Sequence, residues 1–390
     1  MTVQTNVFSR AFCAFGAFAS LAGISQAQEK AAPKGDPIVI GIAAPMTGNS
    51  AEFGTQIGLG VALAKAEINA AGGINGRPLE LKVEDDAGNP ADAQTVSTRL
   101  ASNPKVLAVV GHFNSSCSLA GKGAYSEAKM VMFSPASTNV TVTKDSDYAF
   151  RNIFTDDFQG QSLATYTGKV LGLKKVAILY DNDDYGTGLK ESYKKKAAEL
   201  KLDIVSETAY SKDNNDFRSQ LETVRASNPE IILIAGLYNQ AAVIAKQARE
   251  LGIKTQLIGG DGVFSPAYME LGGKAAEGTF VTSPYLFDQK NERSKKFYDD
   301  FKKMHNKEPD AWAAQSYDAL MLIVKAIKEK GASREAIHNY MKSVNSVASA
   351  YDGLTGKTYF DSEGDCRKPV QVAVVKDGKF VLADKQLSAE

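Results

Sequence analysis

The apolar positions of the chain recur in two alternating rhythms. Short continuous hydrophobic runs occur at Ile38–Ala43, Val106–Val110, Met130–Phe133, Val176–Tyr180 and Ile231–Ala235. Runs of this length read as strands buried on both faces of a parallel sheet. Between them the spacing widens to three and four. Ile57, Val61, Ala64 and Ile68 fall on one helical stripe that stops at Ala71-Gly72-Gly73, a glycine helix end. The same reading places strands at Leu79–Val83, Ile204–Glu207 and Gln256–Gly259. It places helices at Ala91–Ser102 (behind Pro90), Leu119–Lys129, Phe158–Leu171, from the loop Asp181–Gly186 to about Leu200, Phe217–Ser227 and Gln240–Leu251. Three more helices follow, Arg293–His305, Ala311–Lys330 and Ser333–Val344. Tyr359–Asp365 then forms a turn, and a hairpin of Val370–Val375 and Lys379–Leu382 folds around Asp377-Gly378.

Strands alternating with helices in this way predict a doubly wound α/β fold. At 390 residues the chain exceeds what one hydrophobic core supports, so two lobes are expected. Two series look alike in outline, each running strand, loop, aromatic-glycine pair and helix: Phe53-Gly54 in the first, Tyr185-Gly186 in the second. Breaks near Ile153–Asp156, Thr282–Pro284 and Gly353–Gly356 let the chain cross between lobes three times. The expected division is residues 37–154 with 284–354 in lobe 1, and 155–283 with 355–390 in lobe 2.

The N-terminus reads as an export signal. Arg10 precedes an apolar, small-residue stretch, Ala11–Ile24, and Ser25-Gln26-Ala27 supplies a cleavage site. Residues 1–27 are therefore expected to be removed and 28–36 to form a flexible lead-in; Cys13 has no lipobox before it. No later segment offers the ~18 apolar residues of a membrane span. An exported chain without a cysteine framework points to a bacterial periplasm. Lys+Arg and Asp+Glu both number 45, which removes any net electrostatic case for nucleic acid or an anionic membrane. Cys117 and Cys366 remain after cleavage, and their spacing leaves both a bridge and two buried thiols open.

The chemistry concentrates at strand ends. Val106–Val110 leads into Gly111-His112-Phe113-Asn114-Ser115-Ser116, and Met130–Phe133 leads into Ser134-Pro135-Ala136-Ser137-Thr138. In open α/β sheets ligands bind beyond the carboxyl ends of strands. Hydroxyls, backbone N–H groups and a helix N-terminus there suit an anion such as a carboxylate. Asp261, between two glycines at another strand end, suits an ammonium, or a plain turn. Tyr185 and Tyr238 follow strands and read either as loop packing or as a lid. Ser115 and Ser116 also qualify as a helix N-cap.

Other chemistries find less support. Gly58-x-Gly60 lies inside a helix, not at the strand-to-helix turn of a dinucleotide site, and neither a nucleophile elbow nor a Walker loop is present. No cofactor and no metal site is expected. His305 and His338 sit among charged helix residues and are expected to face solvent. His112 beside Ser115 raises an exported serine hydrolase as a rival, although a structural histidine at a strand end is the simpler reading. Asp85-Asp86 reads as a strand-end turn.

From Pro37 to about Asp384 the chain resembles the periplasmic leucine/isoleucine/valine-binding proteins of ABC uptake systems, with the type I periplasmic binding fold. The likeness rests on Gly41–Gly54, Ile68–Ile74, Asp85-Asp86, Gly111–Ser118, Ser134–Thr138, Asp183–Gly188, Gly236–Tyr238 and Gly259–Val263, in that order. It implies no enzyme activity. It implies an amino acid whose carboxylate is held by Ser115, Ala136 and Thr138, with Ser137 in the same loop. Asp261 holds the amino group, Tyr185 and Tyr238 close over the ligand, and Phe53, Phe113 and Asn114 stand by the side-chain pocket. It further implies a monomer that hands its ligand to an ABC permease. Within the same fold, relatives that take up amides, urea or aromatic acids form the alternative. Family members often carry Glu at the position of Asp261 and Tyr at that of Phe53, and Gly88 and Asn114 stand where some have a disulfide.

Overall fold

The computed structural model describes residues 32–387; the expected signal peptide and the start of the lead-in lie outside them. Two sheets carry the fold. The first contains β1 (Ile38–Ala44), β2 (Leu79–Asp85), β3 (Val106–Gly111), β4 (Val131–Ser134) and β5 (Ala149–Arg151), all parallel, in the order β2-β1-β3-β4-β5. The second contains β6 (Lys175–Asp181), β7 (Asp203–Tyr210), β8 (Ile231–Ala235), β9 (Gln256–Gly259) and β10 (Phe280–Ser283). Its parallel part runs β10-β9-β8-β6-β7, the first sheet's order repeated. After β10 in sequence, β11 (Tyr351–Gly353) and β12 (Gly356–Thr358) form a small hairpin where a bare crossover break is predicted. The antiparallel pair β13 (Gln371–Lys376) and β14 (Lys379–Leu382) then extends the second sheet beyond β10. Asp377 and Gly378 turn it with φ values of 52° and 69°, the left-handed pair that a tight hairpin requires.

Helices α1 (Ala51–Ala70), α2 (Pro90–Ser102), α3 (Ser115–Glu127), α4 (Asp156–Thr165), α5 (Asp184–Glu199), α6 (Arg218–Ala226), α7 (Tyr238–Glu250), α8 (Pro266–Gly272), α9 (Glu292–His305), α10 (Ala311–Lys330) and α11 (Arg334–Ser343) cover the sheets. Their starts follow local chemistry. Asn89, Thr155, Asp183, Ser265, Asn291, Asp310 and Ser333 each accept first-turn N–H groups, satisfying donors that have no partner within the helix. All five residues of β8 are fully buried, as a strand covered on both faces demands.

The predicted elements are present with ends shifted by a few residues either way, and the helix predicted over Phe158–Leu171 is α4 continued by a π-helical turn, Tyr166–Val170. Five were not legible: β5, β10, β11, β12 and α8. The histidine expectation is corrected as well. His338 is half-buried, 4.4 Å from the Tyr148 ring, with its Nε2 2.9 Å from the Asp147 carbonyl. His305 is half-buried against Phe301. Cys117 and Cys366 are buried free thiols, whose pKa values burial pushes up. No helix among the described residues is long and apolar enough to cross a membrane.

Of the two glycines in Gly58-x-Gly60, Gly60 has a packing role. A Cβ on Gly60 would lie 2.2 Å from the Ala313 carbonyl oxygen and 2.6 Å from Ser316 Oγ, so the bare backbone lets α1 rest against α10. Gly60→Ala is expected to cost about 1–3 kcal/mol through overpacking, read as a lowered denaturation midpoint at an unchanged slope.

Candidate functional site

The carboxyl ends of both parallel sheets converge on one small cavity. Its wall is built from Phe113, Asn114 and Ser115 after β3, Ala136 and Thr138 after β4, Tyr185 after β6, Leu237 after β8, Asp261 and Gly262 after β9, and Trp312 at the start of α10. In each sheet the order reverses about the first strand of its series, and ligands bind at such switch points.

One side of the cavity is a donor surface. Ser115 opens α3, and its Oγ accepts the Asn139 N–H at 3.3 Å. Asn114 occupies the N-cap position without a side-chain cap bond, a correction to the expectation for the two serines. Ser134 Oγ accepts the amides of Ala136 and Ser137 at 3.2 and 2.8 Å and donates to the His112 carbonyl. The Thr138 hydroxyl is buried beside the Asp156 carboxyl without an aligned hydrogen bond.

The opposite side is acidic. Asp261 is buried, and Tyr185 OH donates to its Oδ1 at 2.7 Å while Gln159 Nε2 donates at 3.0 Å. Both side-chain bonds go to Oδ1, so no side-chain donor among the described residues is engaged with Oδ2. The Asp261 and Gly262 N–H groups donate back to Gln159 Oε1 and Tyr185 OH, so the acid and its two partners form a closed ring of bonds. Desolvation raises the Asp261 pKa to about 6, against the lowering effect of those two donors. Asp156, nearby, is raised further by burial and by the charge of Asp261.

The third surface is apolar. Phe113 and Trp312 stand edge to face at 5.2 Å, and Leu237 lies with them on the wall. Trp312 Nε1 donates to the Phe264 carbonyl at 3.1 Å. Phe53, Tyr238 and Ser137, which the sequence put in contact with a ligand, stand one layer back. Phe53 stacks on Phe113 at 4.2 Å and meets Tyr238 edge-on at 5.0 Å. Ser137 Oγ donates to the Phe113 carbonyl at 2.9 Å. Tyr185 and Tyr238 are helix residues, not loop residues. Trp312, Leu237, Gly262 and Gln159 were missed; the one available signal was that Trp312 is the single tryptophan of the chain, placed at a helix start.

A Ser–His pair is not formed. His112 is buried with Nδ1 2.6 Å from Asp86 Oδ2 and Nε2 3.0 Å from Tyr125 OH, so neither ring nitrogen addresses Ser115. Asp85 accepts from Met46, Thr47 and Ala87, the turn role expected of it. Gly88 and Asn114 are neighbours: a Cβ on Gly88 would lie 3.2 Å from Asn114 Oδ1. Among the described residues no three His, Cys, Asp or Glu side chains gather as a metal site.

Two α/β lobes whose strand ends meet at one cavity are the architecture of a solute-binding protein. The chain belongs to the periplasmic binding protein family, whose model matches residues 37–379. It is 32% identical over 349 residues to an amino acid binding protein of Pseudomonas aeruginosa, covering 88% of this chain and 91% of that one. A leucine-binding protein of Thermotoga maritima superposes with a TM-score of 0.83 at 33% identity, covering 89% and 97% of the two chains. A branched-chain amino acid transporter substrate-binding protein of Streptococcus pneumoniae, solved with isoleucine, gives 0.83 at 30% identity, covering 88% and 98%. The fold itself admits other ligands: a solute-binding protein from Rhodopseudomonas palustris at 23% identity and TM-score 0.79 (89% and 95% covered) was solved with 3,4-dihydroxybenzoic acid.

The buried acid gives a pH signature. A carboxyl whose folded pKa lies above its unfolded value binds protons more tightly in the fold, so ligand-free stability falls as pH rises from about 4 to about 6. Asp261→Asn is expected to remove part of that fall. The variant should gain stability relative to wild type at pH 7.5 and not at pH 4, as read by denaturant titration at both values.

Proposed function

We propose that this protein captures a free apolar α-amino acid, branched-chain or of that size, as a zwitterion between its lobes. The observation that carries the reading is the buried Asp261 carboxylate, facing across a small cavity to a surface of hydroxyl and amide donors. The carboxylate of the ligand docks on Ser115, Ala136 and Thr138, at the N-terminus of α3. Its ammonium meets Asp261 Oδ2, and its side chain enters the space beside Phe113, Leu237 and Trp312. Phe53, Tyr238 and Ser137 support that wall from behind. Residues 37–154 with 284–354 form one jaw and 155–283 with 355–390 the other; closure buries the ligand and shifts the population to the closed form. The protein acts as an exported periplasmic monomer and presents the closed surface to an ABC permease.

The names of the relatives support an amino acid over an amide, urea or aromatic acid, and so does the charge of the site. A ligand without an ammonium leaves a buried carboxylate unpaired, which is costly in a low-dielectric cavity. The backing of Phe53 behind Phe113 limits expansion of the apolar end, which favours aliphatic over aromatic side chains.

A thermal-shift screen of the twenty amino acids, simple amides, urea and benzoates tests the reading. Stabilisation at a hundredfold excess over Kd is ~2.7 kcal/mol, and leucine, isoleucine or valine should produce it. A shift with benzoate and none with any amino acid replaces the reading. Asp261→Ala should weaken amino-acid binding by roughly 2–5 kcal/mol, measured by calorimetry.

Affinity should also depend on pH. The free acid has a pKa of about 6 and must be ionised to hold an ammonium. Binding therefore weakens as pH falls below about 6, by up to about tenfold per unit, and levels off above it. Proton release on binding at pH 5.5, seen in buffers of different ionisation enthalpy, provides the check. A flat profile removes Asp261 from the ammonium site.

A further inference from the structure

Arg151, the last residue of β5, is fully buried beneath the donor loop and is not on the wall of the candidate cavity. Its guanidinium donates from Nη1 to the Ser137 carbonyl at 2.8 Å. From Nη2 it donates to the Asn139 carbonyl and to Thr143 Oγ1, both at 2.9 Å. Nε lies 2.7 Å from Asp365 Oδ1, an ion pair rather than an aligned hydrogen bond. Thr143 Oγ1 donates to the same carboxylate oxygen at 2.6 Å, and the Arg151 N–H donates to the Gly364 carbonyl at 3.2 Å. One side chain thus ties three turns together.

The consequence lies in the peptide between Ser137 and Thr138. A trans peptide is planar, with its C=O and N–H pointing in opposite directions. The Ser137 carbonyl points at the guanidinium, so the Thr138 N–H points away from it. The neighbouring amides are already engaged: Ala136 and Ser137 donate to Ser134 Oγ, and Asn139 donates to Ser115 Oγ. The Thr138 N–H has no acceptor among the described residues, and Thr138 is on the cavity wall. A cation on the carbonyl side of an amide also polarises it, which strengthens the N–H as a donor.

We propose that Arg151 is the positioning residue of the anion half-site: it fixes the Ser137–Thr138 peptide so that the Thr138 N–H faces the ligand, and passes positive potential to a carboxylate it never touches. The proposal rests on the amino-acid reading above and goes beyond it, since it assigns a residue outside the cavity. Lysine keeps the charge but cannot span two carbonyls, a hydroxyl and a carboxylate with one planar fork.

Calorimetry with L-leucine on wild type and Arg151→Lys, with amide hydrogen exchange over residues 134–142, tests it. The expected result is a loss of leucine affinity of about 10–100-fold in the folded variant, the size of a charge-assisted contact. Exchange at the Thr138 amide should slow when leucine binds wild type and should not slow in the variant. A purely structural role would lower the melting temperature and leave both readouts of the folded protein unchanged, and that result overturns the proposal. If Arg151→Lys does not fold, Thr143→Val serves instead; it removes one anchor of the fork and keeps the guanidinium, and unchanged affinity and protection there likewise overturn it. If wild type binds no amino acid, the functional reading fails separately. The proposal is then read from ligand-free exchange, where at least about tenfold faster exchange of residues 134–142 in the variant, equivalent to about 1.4 kcal/mol of lost protection, supports it and equal exchange sinks it.

Discussion

A buried carboxylate without a buried cation beside it is the constraint around which the cavity is organised. Burial alone would drive Asp261 neutral, and the structure opposes that with two donors on one oxygen, Tyr185 OH and Gln159 Nε2. These hold the acid in place and engage only Oδ1. Asp156 lies close enough to raise the cost of a second negative charge. Arg151, the one buried guanidinium among the described residues, is committed to Asp365 and to loop carbonyls. The positive charge that would settle the account must therefore come from outside the chain, and this makes the site selective for a cationic group rather than for polarity in general.

The fold separates the two ends of a zwitterion by construction. Each sheet repeats one strand order, and each offers loops at the carboxyl ends of its strands. The first sheet supplies hydroxyls, amides and the N-terminus of α3, all suited to negative charge. The second supplies Asp261 and the tyrosine that orients it. Neither half-site carries both signs, so a ligand must engage both sheets to be fully matched. Binding is then linked to the relative position of the lobes without any special device. The crossover at Asp156 strengthens the link, because its N–H donates to the Thr138 carbonyl at 2.7 Å, joining the donor loop directly to the segment that enters the second lobe.

What the sequence made legible follows from how local each signal is. Strand β8 and helix α10 are long, strongly patterned and found where expected. Strands β5 and β10 are three and four residues long, too short for a period to register, and their neighbours in the sheets fix them. Asp261 and Ser115 were visible because each sits at the end of a strand that hydrophobicity alone reveals. Gln159 was not: it lies on a helix 102 residues from the acid it supports, and nothing local distinguishes it from a surface glutamine. Phe53 and Tyr238 were assigned to the ligand chiefly through resemblance; neither is on the cavity wall, where Phe113 stands with Phe53 stacked on it and Tyr238 edge-on to Phe53.

Beside the Phe53–Tyr238 ring contact, polar contacts join the lobes at the cleft rim. Asn139 Nδ2 donates to the Asp184 carbonyl, the Asp184 N–H to Ser116 Oγ, Lys212 Nζ to the Gly88 carbonyl, and Asn239 Nδ2 to the Asn49 carbonyl. In an open form water replaces each of them, so their net worth is about 0.5–1.5 kcal/mol apiece at most. Closing over an empty cavity also desolvates Asp261, which opposes closure. Closing over an ammonium reverses that sign, because the same low dielectric that penalises a lone charge strengthens a matched pair. A ligand moves a conformational equilibrium only by its difference in affinity for the two forms. Here that difference comes chiefly from one acid, which resists closure when unpaired and holds the lobes together when paired.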